Sequence, residues 1–153
     1  MRFRLSFAVG LPEQIPGTAP SDLTLEQYGG NHVVQDLGDG NYAFCAHLQT
    51  GTVQVKPGDQ VTAGRVIGSL GNSGNSDAPH LHFHVMNSPD PLRSDGLPLV
   101  PSSFQLDSRL TGTPDALDTL LDGQPAELQA GFAPRSENNT SPMVYDVMTY
   151  AQG

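Results

Sequence analysis

The chain has 153 residues, one domain's worth and enough to bury a core. Its 7 basic and 16 acidic residues give a formal net charge of −9, which argues against nucleic acid and anionic lipid as partners, because an acidic surface repels both. Abundant Gly (17) and Pro (13), no Trp and 37% hydrophobic residues suggest a β-rich body with many turns, not a helical bundle, and no apolar run approaches the roughly 18 residues of a membrane span.

Met1-Arg2-Phe3-Arg4 and the apolar Leu5 to Val9 match a signal peptide only weakly, since the stretch is short and no clear cleavage site follows. Residues 1–28, with Pro12, Pro16 and Pro20, read as extended chain and turns. His32-Val33-Val34 reads as a strand and Tyr42 to Leu48 as its return, joined through Leu37-Gly38-Asp39-Gly40-Asn41, where Asp-Gly is the hairpin signature. Val53 and Val55 alternate with polar residues, Lys56-Pro57-Gly58-Asp59 and Ala63-Gly64 are turns, and Val66-Ile67-Gly68 is a short buried run. Gly71 to Ser76 is a loop, and His80 to Met86 alternates as a strand. Asn87 to Pro101, rich in Pro, Ser and Asp, reads as a long surface excursion. Thr113 as N-cap, Pro114 at the first position and Gly123 as the stop predict a short helix with Leu117, Leu120 and Leu121 on its apolar face. The polar remainder ends in a strand candidate at Val144 to Val147. The fold class is therefore mainly β, a small antiparallel sandwich or barrel with one short helix. Its expected divisions are an N-terminal segment (1–28), a β domain (29–106) and a C-terminal extension (107–153) that takes no part in catalysis.

The richest chemistry lies in Pro79-His80-Leu81-His82-Phe83-His84-Val85. Side chains alternate along a strand, so Leu81, Phe83 and Val85 are expected in a core and the three histidines on the opposite face. Imidazoles two residues apart start roughly 6–7 Å apart at their Cα atoms and can converge on one site. One nitrogen can then hold a metal while a neighbour contacts its water. The alternative is the solvated polar face of an ordinary strand.

The wider run is specific. Gly30-Asn31-His32-Val33-Val34, Asp36 to Gly40, Ala46-His47-Leu48, Val55 to Val61, Gly64, Ile67-Gly68, Gly71 to Gly74 and Pro79 to Phe83 together resemble the lysostaphin-type, LytM-like zinc endopeptidases of metallopeptidase family 23. The resemblance is strong over about residues 29–86. It implies His82 as a zinc ligand and His47 and His80 as catalytic partners. It also implies peptidoglycan peptides as substrate and an extracellular or envelope location.

The family's first zinc motif, a His followed four residues later by Asp, would lie upstream, where residues 1–31 contain no histidine. The literal match His32 to Asp36 spans roughly 13 Å of strand, too far for both ends to grip one ion. Either the chain is a fragment of a full enzyme or it is an inactive relative that binds cell wall or a partner protein. Cys45, the single cysteine, excludes an internal disulfide; it is expected on the same face as His47 and is read as a small buried residue, with zinc ligation as the alternative. His84 is expected to be a polar surface residue, and His32 structural or exposed. Val55 to Gly68 also resembles the hairpins of biotinyl and lipoyl carrier domains, but the only lysine, Lys56, is misplaced for modification. The related phosphocarriers with paired histidines fit the His-Leu-His strand less well.

Overall fold

The computed structural model describes residues 10–18, 20–112 and 114–150. The expectations for Met1 to Val9 and for Thr113 lie outside them. The described chain is mainly β, with two antiparallel sheets and one short α-helix. It divides into two compact units, Met1–Pro98 and Leu99–Gly153.

The first unit is built on a hairpin. Strands β1 (Asn31–Gly38) and β2 (Asn41–Leu48) meet at Asp39 and Gly40, with φ of 54° and 77°. Two successive positive φ values give a turn whose twist matches that of the flanking strands. The Asp36 carboxylate accepts the Gly38 N–H at 2.9 Å and helps close it. β2 then pairs with β3 (His82–Met86), and β3 with β4 (Gly96–Leu97), giving the order β1-β2-β3-β4.

Alternation along β1 divides the core into two clusters. Val33 packs with Leu48 and Val55, joined by Val53, Val61 and Ile67. Its neighbour Val34 packs on the other side with Phe44, Ala46, Met86 and Tyr42. Each such buried side chain contributes about 1.5–3 kcal/mol. The expected buried run at Val66 to Gly68 is only partly so, because Val66 is exposed while Ile67 packs inward. The expected surface excursion after Asn87 has no buried residue, and it contains a two-residue strand that the sequence did not indicate. Asn87 and Asp95 hydrogen-bond through both side chains, and this brings Gly96 and Leu97 back onto Met86 and Val85.

Two chain crossings depend on absent side chains. Gly30 (φ 60°) lies so close to the Ser73 carbonyl that a Cβ would collide with it, and a Cβ on Gly74 (φ 78°) would collide with the Gly30 backbone. The buried Asn31 amide binds the Leu11 and Leu48 carbonyls and accepts the Leu11 N–H. The Glu13 carboxylate accepts from Thr50 and from the Asn72 N–H. The described N-terminal segment is thereby fastened to the hairpin.

The second unit holds β5 (Ser103–Arg109), α1 (Pro114–Leu121), β6 (Arg135–Asn138) and β7 (Asp146–Thr149), with sheet order β6-β5-β7. Phe104, Leu106, Leu110 and Ala116 are buried there. Arg109 joins Asp146 across β5 and β7 at 2.7 Å. The expected last strand begins two residues later than the hydrophobic pattern suggests, because Tyr145 at φ 73° interrupts the extended backbone. The helix forms and Gly123 (φ 73°) ends it. Its expected apolar face is not buried: Leu117, Leu120 and Leu121 are exposed and Ala116 faces inward. Periodicity marks a face, but burial also requires something to pack against it.

Candidate active site

Three histidines converge in the first unit. One nitrogen from each of His47, His80 and His82 lies within 4.8 Å of the others. Strand parity alone would not produce this. Ala46 pairs with His82 across β2 and β3, so the next residue, His47, belongs by alternation to the opposite face. A β-bulge intervenes: Asn31 pairs with Leu48 and Val33 with Cys45, leaving Ala46 and His47 opposite the single residue His32. His47 takes a φ of 57° there, and its ring comes within 5.7 Å of the His82 ring and 4.7 Å of the His80 ring, centroid to centroid. Bulges re-aim side chains in this way. The expectation that Cys45 shares the His47 face is corrected by the same backbone turn.

Backbone carbonyls set the tautomers. A carbonyl only accepts, so the ring nitrogen facing it carries the proton. His47 Nδ1–H donates to the buried Ser73 carbonyl at 2.8 Å. His80 Nδ1–H donates to Ala78 at 2.8 Å, with the Ser76 hydroxyl 3.3 Å from the same nitrogen. Both rings are left with an Nε2 lone pair. Such a partner on the far nitrogen is what orients an imidazole toward a metal or a proton. The Gly71 to Ser76 segment is a loop as expected, but Gly71 to Gly74 and Ser76 are buried, and the loop supplies the Ser73 carbonyl and the Ser76 hydroxyl. Ser76 is itself fixed by Asn72 at 2.6 Å.

The two histidines assigned lesser roles by sequence also belong to this region. His32 is buried, and its Nδ1–H donates to Gly30 at 2.9 Å. His84 is half-buried, and its Nδ1 lies 3.0 Å from His82 Nε2; it is not a simple polar surface residue. Phe44 forms the floor, with ring centroids 5.1, 5.8 and 5.2 Å from those of His32, His82 and His84. Together with Tyr28 and His47 these residues line a cavity of about 530 Å³ whose rim includes Leu25 and Leu92. The sequence trace of this grouping is the even spacing of His82 and His84; the pairing of His84 with Phe44 across β2 and β3 comes from the structure. The opposite face departs from expectation: Val85 is buried, but Leu81 and Phe83 are 49% and 42% exposed. β4 covers only the Val85–Met86 end of β3.

Burial holds His32, His47, His82 and His84 below the ordinary imidazole range; neighbouring imidazoles add to this at His32, His47 and His82. The rings are therefore neutral near pH 7, the state in which imidazole ligates metal or accepts a proton. The linkage has a definite sign. Below the ordinary histidine value of 6.5 the unfolded chain binds more protons than the folded one. The stabilising contribution is full above that value and is lost as pH falls through the lowered folded values. The metal-free chain is expected to melt progressively lower as pH is brought from 8 to 5. A melting temperature that does not respond below pH 6.5 in calorimetry would contradict the burial-driven shifts.

The remaining candidates are not brought in. Asp36 is occupied at the hairpin end, and the literal His32 to Asp36 match places only His32 by the cavity. Burial pushes the Cys45 thiol up to about 11, and Cys45 is not in the metal-competent group found among the described residues. It is a buried thiol, as its size suggests. The three imidazole nitrogens stand close enough to hold or flank one metal ion such as zinc. The upstream His and Asp that the resemblance calls for are not part of the group.

The chain is 31% identical over 86 residues to Endolysin 2638A of Staphylococcus phage 2638A, covering 56% of this chain and 18% of that protein. It is 33% identical over 79 residues to Peptidoglycan DD-endopeptidase ShyA of Vibrio cholerae, covering 51% and 18%. It is 44% identical over 59 residues to Lysostaphin of Staphylococcus simulans, covering 38% and 12%. The chain thus spans less than a fifth of the length of these relatives. Among solved structures it resembles a mutant catalytic domain of the prophage-encoded M23 protein EnpA from Enterococcus faecalis, at 25% identity and a TM-score of 0.41, over 63% of this chain and 71% of that one. The family model described as Peptidase family M23 matches residues 16–94. With more than half its length inside that match, the chain belongs to peptidase family M23.

Proposed function

We propose that this chain carries the catalytic face of a zinc-dependent endopeptidase that hydrolyses peptide bonds of peptidoglycan, working in the cell envelope or outside the cell. The observation that supports this best is the joint presentation of His47, His80 and His82, with the Nδ1 atoms of His47 and His80 held by carbonyls. The names of two relatives, a peptidoglycan DD-endopeptidase and a glycyl-glycine endopeptidase, point to this class of bond.

In this reading His82 is the metal ligand, and His47 and His80 act on the reacting atoms. When bound, zinc supplies Lewis acidity toward the scissile carbonyl and toward water. The chain's own groups supply proton transfer and orientation. An Nε2 lone pair of His47 or His80 accepts the proton of the attacking water, and the imidazolium so formed returns it to the departing amine. A protonated ring at the same place also donates a hydrogen bond to the developing oxyanion. The carbonyls of Ser73 and Ala78 keep both rings in the required tautomer throughout. Burial of His47 and the apolar Phe44 floor limit competing water.

The test is digestion of purified peptidoglycan by the purified chain, read as newly released amino groups. Release is expected with zinc, is lost on chelation and returns when zinc is restored. A chain that releases no amines and retains no zinc, yet co-sediments with peptidoglycan, would be a cell-wall binder instead.

A further inference from the structure

His82 is the one member of the three-histidine group whose ring is not held by a backbone carbonyl. Its only hydrogen-bonded ring nitrogen among the described residues is Nε2, and the partner is His84 Nδ1 at 3.0 Å. Two neutral imidazoles can share this contact in two ways. If His82 Nε2–H donates, His82 keeps a lone pair on Nδ1 and can ligate. If His84 Nδ1–H donates, the His82 Nε2 lone pair is consumed and its Nδ1 carries the proton, which leaves no donor for an ion. Only the first arrangement is compatible with His82 as a ligand.

We propose that His84 is a positioning residue: its Nδ1 accepts the His82 Nε2–H and thereby holds the His82 ring in the metal-binding tautomer and orientation. This rests on the reading of His82 as a ligand. The placement of His84 supports it. His84 stands two residues along the same strand and pairs with Phe44 on β2. The Phe44 ring contacts both imidazoles, at centroid distances of 5.8 Å to His82 and 5.2 Å to His84. Phe44 is itself buried in the core cluster with Val34, Ala46 and Met86. The acceptor is thus mounted on a rigid support, as a ring that orients a ligand needs to be. His84 does for His82 what the Ser73 and Ala78 carbonyls do for His47 and His80. It is absent from the group of nitrogens close enough to share one ion with His47 and His80, so its part is support and not ligation.

The experiment has two arms. In the first, metal-free chain labelled with ¹⁵N at histidine is observed by NMR above pH 7. A scalar coupling across the hydrogen bond is expected between His82 Nε2 and His84 Nδ1, with the proton on His82. A proton on His84 Nδ1, or no coupling, overturns the proposal. In the second arm, zinc affinity is measured by competition with a chromogenic chelator. His84→Phe keeps a ring but removes the acceptor and is expected to weaken zinc binding roughly 10–100-fold. His84→Gln, which restores an acceptor oxygen, recovers most of that loss. Equal affinity in the wild type and His84→Phe overturns the proposal, and so does failure of the Gln variant to bind better than the Phe variant when both are folded by circular dichroism. A wild-type chain that binds no zinc defeats the zinc reading alone; the first arm needs no metal and still decides the hydrogen bond.

Discussion

Replacing His82 by alanine is expected to abolish zinc retention and peptidoglycan hydrolysis together. A supporting partner of a metal ligand is worth roughly 10–100-fold in affinity, and removing the ligand itself should cost more, enough to empty the site during dialysis. His82 is exposed at the start of β3, so truncation leaves no core cavity and the fold should survive. The check is zinc per chain by elemental mass spectrometry, alongside amine release from peptidoglycan. Full zinc content in the alanine variant would remove His82 from the ligand set. Loss of zinc with full activity would remove the metal from the reaction.

Changing His47 separates proton transfer from ligation. Asparagine is the suitable replacement, because it tolerates the left-handed backbone that His47 adopts at φ 57°, whereas a β-branched residue would add strain. If His47 acts on the reacting atoms, His47→Asn should lower kcat by about 10²–10⁴-fold while zinc content stays unchanged. Little change is expected in KM, since the ring's role is in the transition state. Loss of zinc along with activity would instead show that His47 is itself a ligand, which its place in the three-nitrogen group allows geometrically. The His80 position can be examined in the same way, and the pair of results would fix the division of labour among the three rings.

The sequence by itself determined the elements whose causes are local. The β1–β2 hairpin follows from Asp39-Gly40, because only a few residues accept two successive positive φ values. The short helix and its stop at Gly123 follow from end chemistry. The His-Leu-His segment, set within the long run from Gly30 onward, was enough to indicate the family and to single out three histidines whose nitrogens come together in space. Features that depend on contacts distant in sequence were not legible. Alternation placed Leu81 and Phe83 in a core and Leu117, Leu120 and Leu121 on a buried face, yet all five are exposed, since a pattern does not say whether anything covers it. The strand β4 formed in a stretch read as a surface excursion because the Asn87–Asp95 contacts close a hairpin there. The site was decided most fully by tertiary structure. Simple parity puts His47 on the wrong face of β2, and the bulge opposite His32 turns its ring toward His80 and His82. The proton positions that make the imidazoles useful are likewise set by the carbonyls of Ser73 and Ala78, the first of them 26 residues from the ring it holds. A tautomer is a property of the partner a ring meets in space, and a linear pattern carries no record of that partner.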